Sequence, residues 1–142
     1  MTRLDHCNIR TLDLKATIAF YSDVLELRPS FFPDLADRGA WLHDSDDRPV
    51  IHLVAIDRDD PESSIAAIRG MRGAEAAPFD PKSLSGSGAI DHIAFECSDY
   101  PAMEKALRAR DLPYTTNEVE SIGLRQIFVD DPNAITVELN FR

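Results

Sequence analysis

Two dipeptides in this chain are suited to chemistry: Asp5-His6 and Asp91-His92. Each lies in an apolar, β-branched run, Leu4-Asp5-His6-Cys7-Asn8-Ile9-Arg10 and Ile90-Asp91-His92-Ile93-Ala94-Phe95-Glu96. They stand 86 residues apart, and at that offset Asp99 falls on Asp13, Ala102 on Ala16, Asp130 on Asp44 and Leu139 on Leu53. Conservative matches fill in between: Ile90 on Leu4, Leu107 on Tyr21, Asn133 on Asp47 and Val137 on Ile51. One offset carried without a gap reads as an internal duplication. His52 follows His6 by 46 residues, and Glu138 follows His92 by 46. His52 and Glu138 therefore hold the same place in the two halves. Imidazole and carboxylate are the donors a divalent transition metal takes. A Glu inside Val137-Glu138-Leu139 that is buried without partners carries a desolvation cost that a metal ion removes.

The elements that position these residues follow from hydrophobic period and turn chemistry. Residues 3–10 alternate as a strand, with His6 and Asn8 on one face and Cys7 and Ile9 on the other. Asp13 is placed to cap a helix running to about Leu25, with Leu14, Ile18, Tyr21 and Val24/Leu25 on its apolar stripe. Strands are expected at 28–32 (ended by Pro33), 39–44 and 50–56, so residues 1–56 read as a first βαβββ module. Residues 57–88 have no counterpart and read as a linker or lid, with a helical turn near 64–71, Pro78, Pro81 and Ser85-Gly86-Ser87-Gly88. Residues 89–142 repeat the pattern. Strand 90–97 leads to a helix capped by Ser98 or Asp99 and ending near Arg110, and strands follow at 114–119, 124–130 and 135–141. Together the modules make one α+β domain. In each module the candidate residues are expected at mid-strand, opposite Cys7/Ile9, Ile51/Leu53, Ile93/Phe95 and Val137/Leu139. Curling two such sheets about a pseudo-twofold would bring His6, His52, His92 and Glu138 into one central metal cleft.

The 142 residues are enough for one ordinary domain core, and 44% are hydrophobic. A net charge of −10 argues against nucleic acid or an anionic membrane as a partner. No apolar run reaches membrane-spanning length, and the start Met1-Thr2-Arg3-Leu4-Asp5-His6 has no signal-peptide core, so a cytoplasmic protein is expected. Cys7 and Cys97 are not equivalent and have no CxxC spacing; both read as buried thiols. His43 breaks the repeat, with Val129 as its counterpart, and abuts the acidic turn 44–47; it reads as structural. Trp41 could line the cleft or pack the core. Asn8, Arg125 and Gln126 are strand polar residues placed to hold substrate oxygens.

Beyond these residues the chain carries Phe20-Tyr21 in its first helix, then Leu25-Glu26-Leu27, and a closing Asp-Pro-Asn-x-x-x-x-Glu-Leu from Asp131 to Leu139. With the Asp-His strands and the stretch Leu124-Arg125-Gln126-Ile127-Phe128-Val129-Asp130-Asp131-Pro132-Asn133, these resemble the vicinal oxygen chelate superfamily. That group holds glyoxalase I, extradiol dioxygenases, methylmalonyl-CoA epimerase and the fosfomycin and bleomycin resistance proteins. The resemblance spans both modules. It implies that His6, His92 and Glu138 are metal ligands, that His52 holds a fourth position, and that the ion is Fe2+, Zn2+, Ni2+ or Mn2+.

Two His and one carboxylate form the facial triad that suits Fe(II) and leaves three positions open, as ring-cleaving dioxygenation requires. A fourth ligand leaves two, which favours redox-neutral, glyoxalase-like isomerase or lyase chemistry, with Glu138 moving the proton. Glyoxalase I usually has Glu or Gln where His52 stands, so lactoylglutathione itself is a poorer substrate expectation than another small vicinal-oxygen compound. Isomerase or lyase chemistry is placed ahead of an extradiol-type dioxygenase. A fosfomycin-type thiol transferase and a metal-free drug-binding protein stand as further alternatives. The resemblance implies a small-molecule substrate and a homodimer, with the modules of one cleft paired within a chain or swapped between two chains.

Overall fold

The computed structural model describes residues 3–30, 38–71, 80–88 and 90–142. The first module runs β1 (Cys7–Thr11), α1 (Leu14–Leu25), β2 (Arg28–Ser30), β3 (Gly39–His43) and β4 (Pro49–Ala55). The connection holds α2 (Pro61–Met71) and a 3-10 turn, Pro81–Leu84. The second module runs β5 (Ile93–Cys97), α3 (Tyr100–Ala109), β6 (Tyr114–Val119), β7 (Leu124–Asp130) and β8 (Thr136–Phe141). The expected end of the second strand at residues 31–33, and Pro78 in the connection, lie outside the described residues.

Both helices start where the sequence places a cap. The Asp13 carboxylate accepts from the Ala16 N–H at 2.9 Å, and Asp99 accepts from Ala102 at 2.9 Å. α1 buries Thr17, Phe20, Tyr21 and Val24, the i, i+3, i+4, i+7 set of one helical face. It ends at Glu26, which turns left-handed at φ 57°.

Each module makes a four-stranded mixed sheet, ordered β1-β4-β3-β2 and β5-β8-β7-β6. First and last strands pair in parallel, β1 with β4 and β5 with β8, while the hairpins are antiparallel. This pairing makes neighbours of segments 46 residues apart. The two sheets remain separate and do not close into the single curled sheet expected above.

The duplication also slips once. Opposite His52 stands Trp41, and opposite Glu138 stands Phe128, an offset of 87 between Trp41 and Phe128. The turns agree. Asp44 accepts from the N–H groups of Asp46 and Arg48, as Asp131 does from Asn133 and Ile135. Asp47 and Ala134 both take positive φ, 63° and 58°. The counterpart of Asp44 is therefore Asp131, not Asp130; that of Asp47 is Ala134, and that of His43 is Asp130. One additional residue in β4, at the register shift facing Leu42/His43, restores the offset of 86.

The helix-facing residues of both sheets share one core: Ile9, Ile51 and Leu53 from the first, and Ile127, Val137 and Leu139 from the second, with Tyr21 and Leu107. At the module boundary the buried Tyr21 hydroxyl donates to the buried Asp131 carboxylate at 3.1 Å. Asn133 Nδ2 donates to Thr17 Oγ1 at 3.2 Å and to Asp131 Oδ2 at 3.1 Å. Burial, then the Asp131 charge, pushes the Tyr21 phenol far above its ordinary value. Because β residues alternate, the candidate residues lie on the sheet faces opposite this core. We predict that Tyr21→Phe, which removes one charge-assisted hydrogen bond, costs about 1.5–3 kcal/mol. Its urea midpoint should fall with an unchanged slope; an unchanged midpoint would show that the contact does not hold the modules together.

Candidate functional site

The structure brings the four main candidates together as two pairs, one on each sheet. On the first sheet the His6 and His52 rings stack at 3.7 Å between centroids and 17° between planes. Trp41 covers the other face of His52 at 4.7 Å and 10°. His6 and His92 stand just ahead of β1 and β5 rather than at mid-strand, because each parallel ladder begins one residue later, at Cys7 and Ile93. Asn8 is the register partner of His52 and shares its face.

On the second sheet His92 Nε2 lies 3.1 Å from Glu138 Oε2. The other oxygen, Oε1, accepts from Gln126 Nε2 at 2.9 Å and Asn140 Nδ2 at 2.8 Å. Gln126 is held in turn by Asn117 Nδ2 on its Oε1 at 2.8 Å. Phe128 sits edge-on to His92 at 6.4 Å. Gln126 thus reaches the pair and Arg125 does not. Arg125 lies on the opposite face of β7, its guanidinium 3.5 Å over the Tyr100 ring and its Nε donating to Glu118 at 3.2 Å.

Sequence reasoning missed three residues. Asn140 is two residues from Glu138 on the same strand face, a signal that was readable. Asn117 reaches the network only through the β6–β7 register. Phe128 was hidden by the gapless offset, which matched it to Leu42. His43 spends both ring nitrogens on Ser30 Oγ (2.9 Å) and the Asp47 carbonyl (3.2 Å), in keeping with a structural role. Cys7 and Cys97 are free, half-buried thiols. Burial raises both, Cys97 to about 11.

Among the described residues no three His, Cys, Asp or Glu side chains converge as a metal cluster. Of the two arrangements expected for the central cleft, within one chain or between two, the described residues of a single chain do not form the first: the helix-facing sides of both sheets share one core, and the candidates lie on the opposite faces. The His92/Glu138 half-site nonetheless fits a divalent ion. Two donors each about 2.1 Å from an ion and at right angles stand about 3 Å apart, close to the His92–Glu138 spacing of 3.1 Å. His52 Nε2 is buried without a hydrogen-bond partner, which an incoming cation would supply. The His6 and His52 rings are stacked nearly parallel, so their in-plane lone pairs cannot meet at one ion without a ring turning.

A cavity of about 260 Å³ lies along β1, lined by Asn8, Arg10, Ser87, Ile90, Ile93 and Asn133 among others, and none of His6, His52, His92 and Glu138 lines it. The connection borders it: Arg10 Nη2 donates to the Ser83 carbonyl at 3.1 Å, and the Gly86 N–H to that of Asn133 at 2.8 Å.

The electrostatics of the pairs differ. Its hydrogen bond to Asp91, and then the Glu138 charge, raise His92, while burial and the neighbouring His6 lower His52. His92 therefore adds stability that is full below the unfolded value of about 6.5 and lost as pH rises through its raised folded value. For His52 the neutral form is favoured, so its stability is present above the unfolded value and lost as pH falls through the lowered one. In an NMR titration of metal-free protein, His92 is predicted to titrate above, and His52 below, an ordinary histidine. Asp91→Ala should bring His92 back towards the ordinary value, and the reverse order for the two rings would refute these environments.

A family model for the Glyoxalase/Bleomycin resistance protein/Dioxygenase superfamily matches residues 3–139. "Glyoxylase I 4" of Arabidopsis thaliana is 26% identical over 142 residues, covering 98% of this chain and 70% of the relative. A glyoxalase/dioxygenase from Nostoc punctiforme superposes with TM-score 0.64 at 16% identity, covering 98% of this chain and 90% of the other. The fosfomycin resistance protein FosX from Mesorhizobium loti superposes with TM-score 0.60 at 16% identity, covering 100% and 93%. No described helix is long and apolar enough to cross a membrane.

Proposed function

The chain belongs to the Glyoxalase/Bleomycin resistance protein/Dioxygenase superfamily, and we propose that it is a divalent-metal-dependent enzyme acting on a small vicinal-oxygen substrate. The observation that carries this reading is the pair of complementary half-sites, His6/His52 on one sheet and His92/Glu138 on the other. Because they face away from the shared core, the reading completes each site between two copies, as a homodimer in the cytoplasm. His6, His92 and Glu138, with His52 in the fourth position, would hold Fe2+, Zn2+, Ni2+ or Mn2+. Such an ion, when bound, polarises adjacent substrate oxygens.

The chain's own groups then have separate tasks. Glu138 is the proton carrier of the proposal: two amides fix Oε1 and leave Oε2 directed at the His92 side. Gln126 and Asn140 set the orientation of that carboxylate and neutralise part of its charge. Trp41 and Phe128 wall the two half-sites. Isomerase or lyase chemistry follows if His52 is a ligand. The sandwich of His52 between Trp41 and His6 favours a second reading. If that ring stays stacked, three ligands remain, and the facial triad of an extradiol-type dioxygenase results.

The deciding experiment is metal content per chain of untagged protein purified anaerobically, for wild type, Glu138→Ala and His52→Ala. About one ion per chain in wild type, lost in Glu138→Ala, is the expected outcome. Loss in His52→Ala as well selects the four-ligand reading, whereas retained iron with oxygen uptake on catechols selects the dioxygenase. No ion in wild type after reconstitution would overturn the metal-dependent reading.

A further inference from the structure

The two aspartates of the repeated dipeptides do no other visible work. Asp5 Oδ2 lies 2.7 Å from His6 Nδ1, and Asp91 Oδ2 lies 2.8 Å from His92 Nδ1. The Asp side chains are 85% and 96% exposed. Neither carboxylate makes another hydrogen bond or salt bridge among the described residues. The same contact, at the charge-assisted distance, is thus built twice at duplicated positions.

An ionised carboxylate only accepts, so the facing Nδ1 must donate. A neutral imidazole carries one ring proton. With that proton on Nδ1, Nε2 is left as a bare lone pair. At His92 this lone pair faces the Glu138 oxygen at 3.1 Å. Two acceptors at that distance repel one another unless a proton joins them, as in the imidazolium form, or a metal ion binds both. His43 also has a carboxylate oxygen at its Nδ1, Asp47 Oδ1 at 3.2 Å, but its Nε2 is already engaged by Ser30 Oγ at 2.9 Å and is not free for an ion.

We propose that Asp5 and Asp91 are positioning residues that hold the Nδ1 protons of His6 and His92 and so present both Nε2 atoms, unprotonated, to a divalent ion. The inference rests on the metal reading above for its purpose, but not for its test. The carboxylate behind a ligating histidine fixes the ring's tautomer and orientation, and losing such a group costs about 10–100-fold in metal affinity. Both aspartates are largely exposed, so the effect here belongs at the low end, about tenfold for each.

The test uses the metal-free protein, with long-range 1H–15N correlation spectra recorded at a pH where both rings are neutral. Wild type should show the proton on Nδ1 of His6 and of His92. Asp5→Ala and Asp91→Ala should each move the pattern of the adjacent ring towards the Nε2-protonated form common in free histidine. Asp91→Asn, whose amide oxygen still accepts, should restore it. Zn2+ titration should then show about tenfold weaker binding for each Ala variant, with recovery in the Asn variant. Ala variants that keep the wild-type tautomers, or that shift them without weakening Zn2+, would overturn the proposal. Failure of wild type to bind Zn2+ at all would sink the metal reading instead, and the spectra would still decide whether the carboxylates set the tautomers.

Discussion

The arrangement of this molecule depends on one shared core between two modules. The helix-facing residues of both sheets are buried together, and the Tyr21 hydroxyl crosses the boundary to the Asp131 carboxylate. Asp131 also organises its own turn, accepting the N–H groups of Asn133 and Ile135. One buried carboxylate therefore shapes the loop before β8 and ties it to α1. Spending the apolar faces on this core turns the polar faces, with their histidines and Glu138, outward. A residue pair on each face is the result, and no described residue completes either one within the chain.

Much of this could be read from the residues. The duplicated Asp-His strands, the Asp13 and Asp99 caps and the stripe of α1 follow from local chemistry, so the helices and most strands fall where expected. The pairing of His6 with His52, and of His92 with Glu138, was legible because parallel first and last strands must lie side by side in a βαβββ unit. The meeting of all four was not. Strand parity says which face a residue takes, but not which face of one module packs on which face of the other. The single-residue slip was hidden for a similar reason. A bulge in β4 changes the register without changing the residue types, so Phe128 was matched to Leu42 in place of Trp41.

The two half-sites are not copies in their chemistry. One is an aromatic stack in which His52 is clamped between Trp41 and His6 and its burial disfavours the charged form. The other is a hydrogen-bonded carboxylate braced by Gln126, Asn140 and Asn117. Duplication thus kept the positions and changed the donors, giving one side a rigid wall and the other a group able to carry a proton. Arg125 shows how far a one-residue step matters: adjacent to Gln126, it belongs to the Tyr100 face and to Glu118.

The central claim is that each site joins the first module of one copy to the second module of another. Co-expression of two differently tagged chains tests it directly, one carrying His6→Ala with His52→Ala and the other His92→Ala with Glu138→Ala. In the purified heterodimer one site receives every substitution and the other receives none. The account predicts that this heterodimer regains about half of the wild-type metal per dimer, as a twofold pair of shared sites requires, while both parent homodimers stay empty. A heterodimer that binds no more metal than its parents would contradict the shared site.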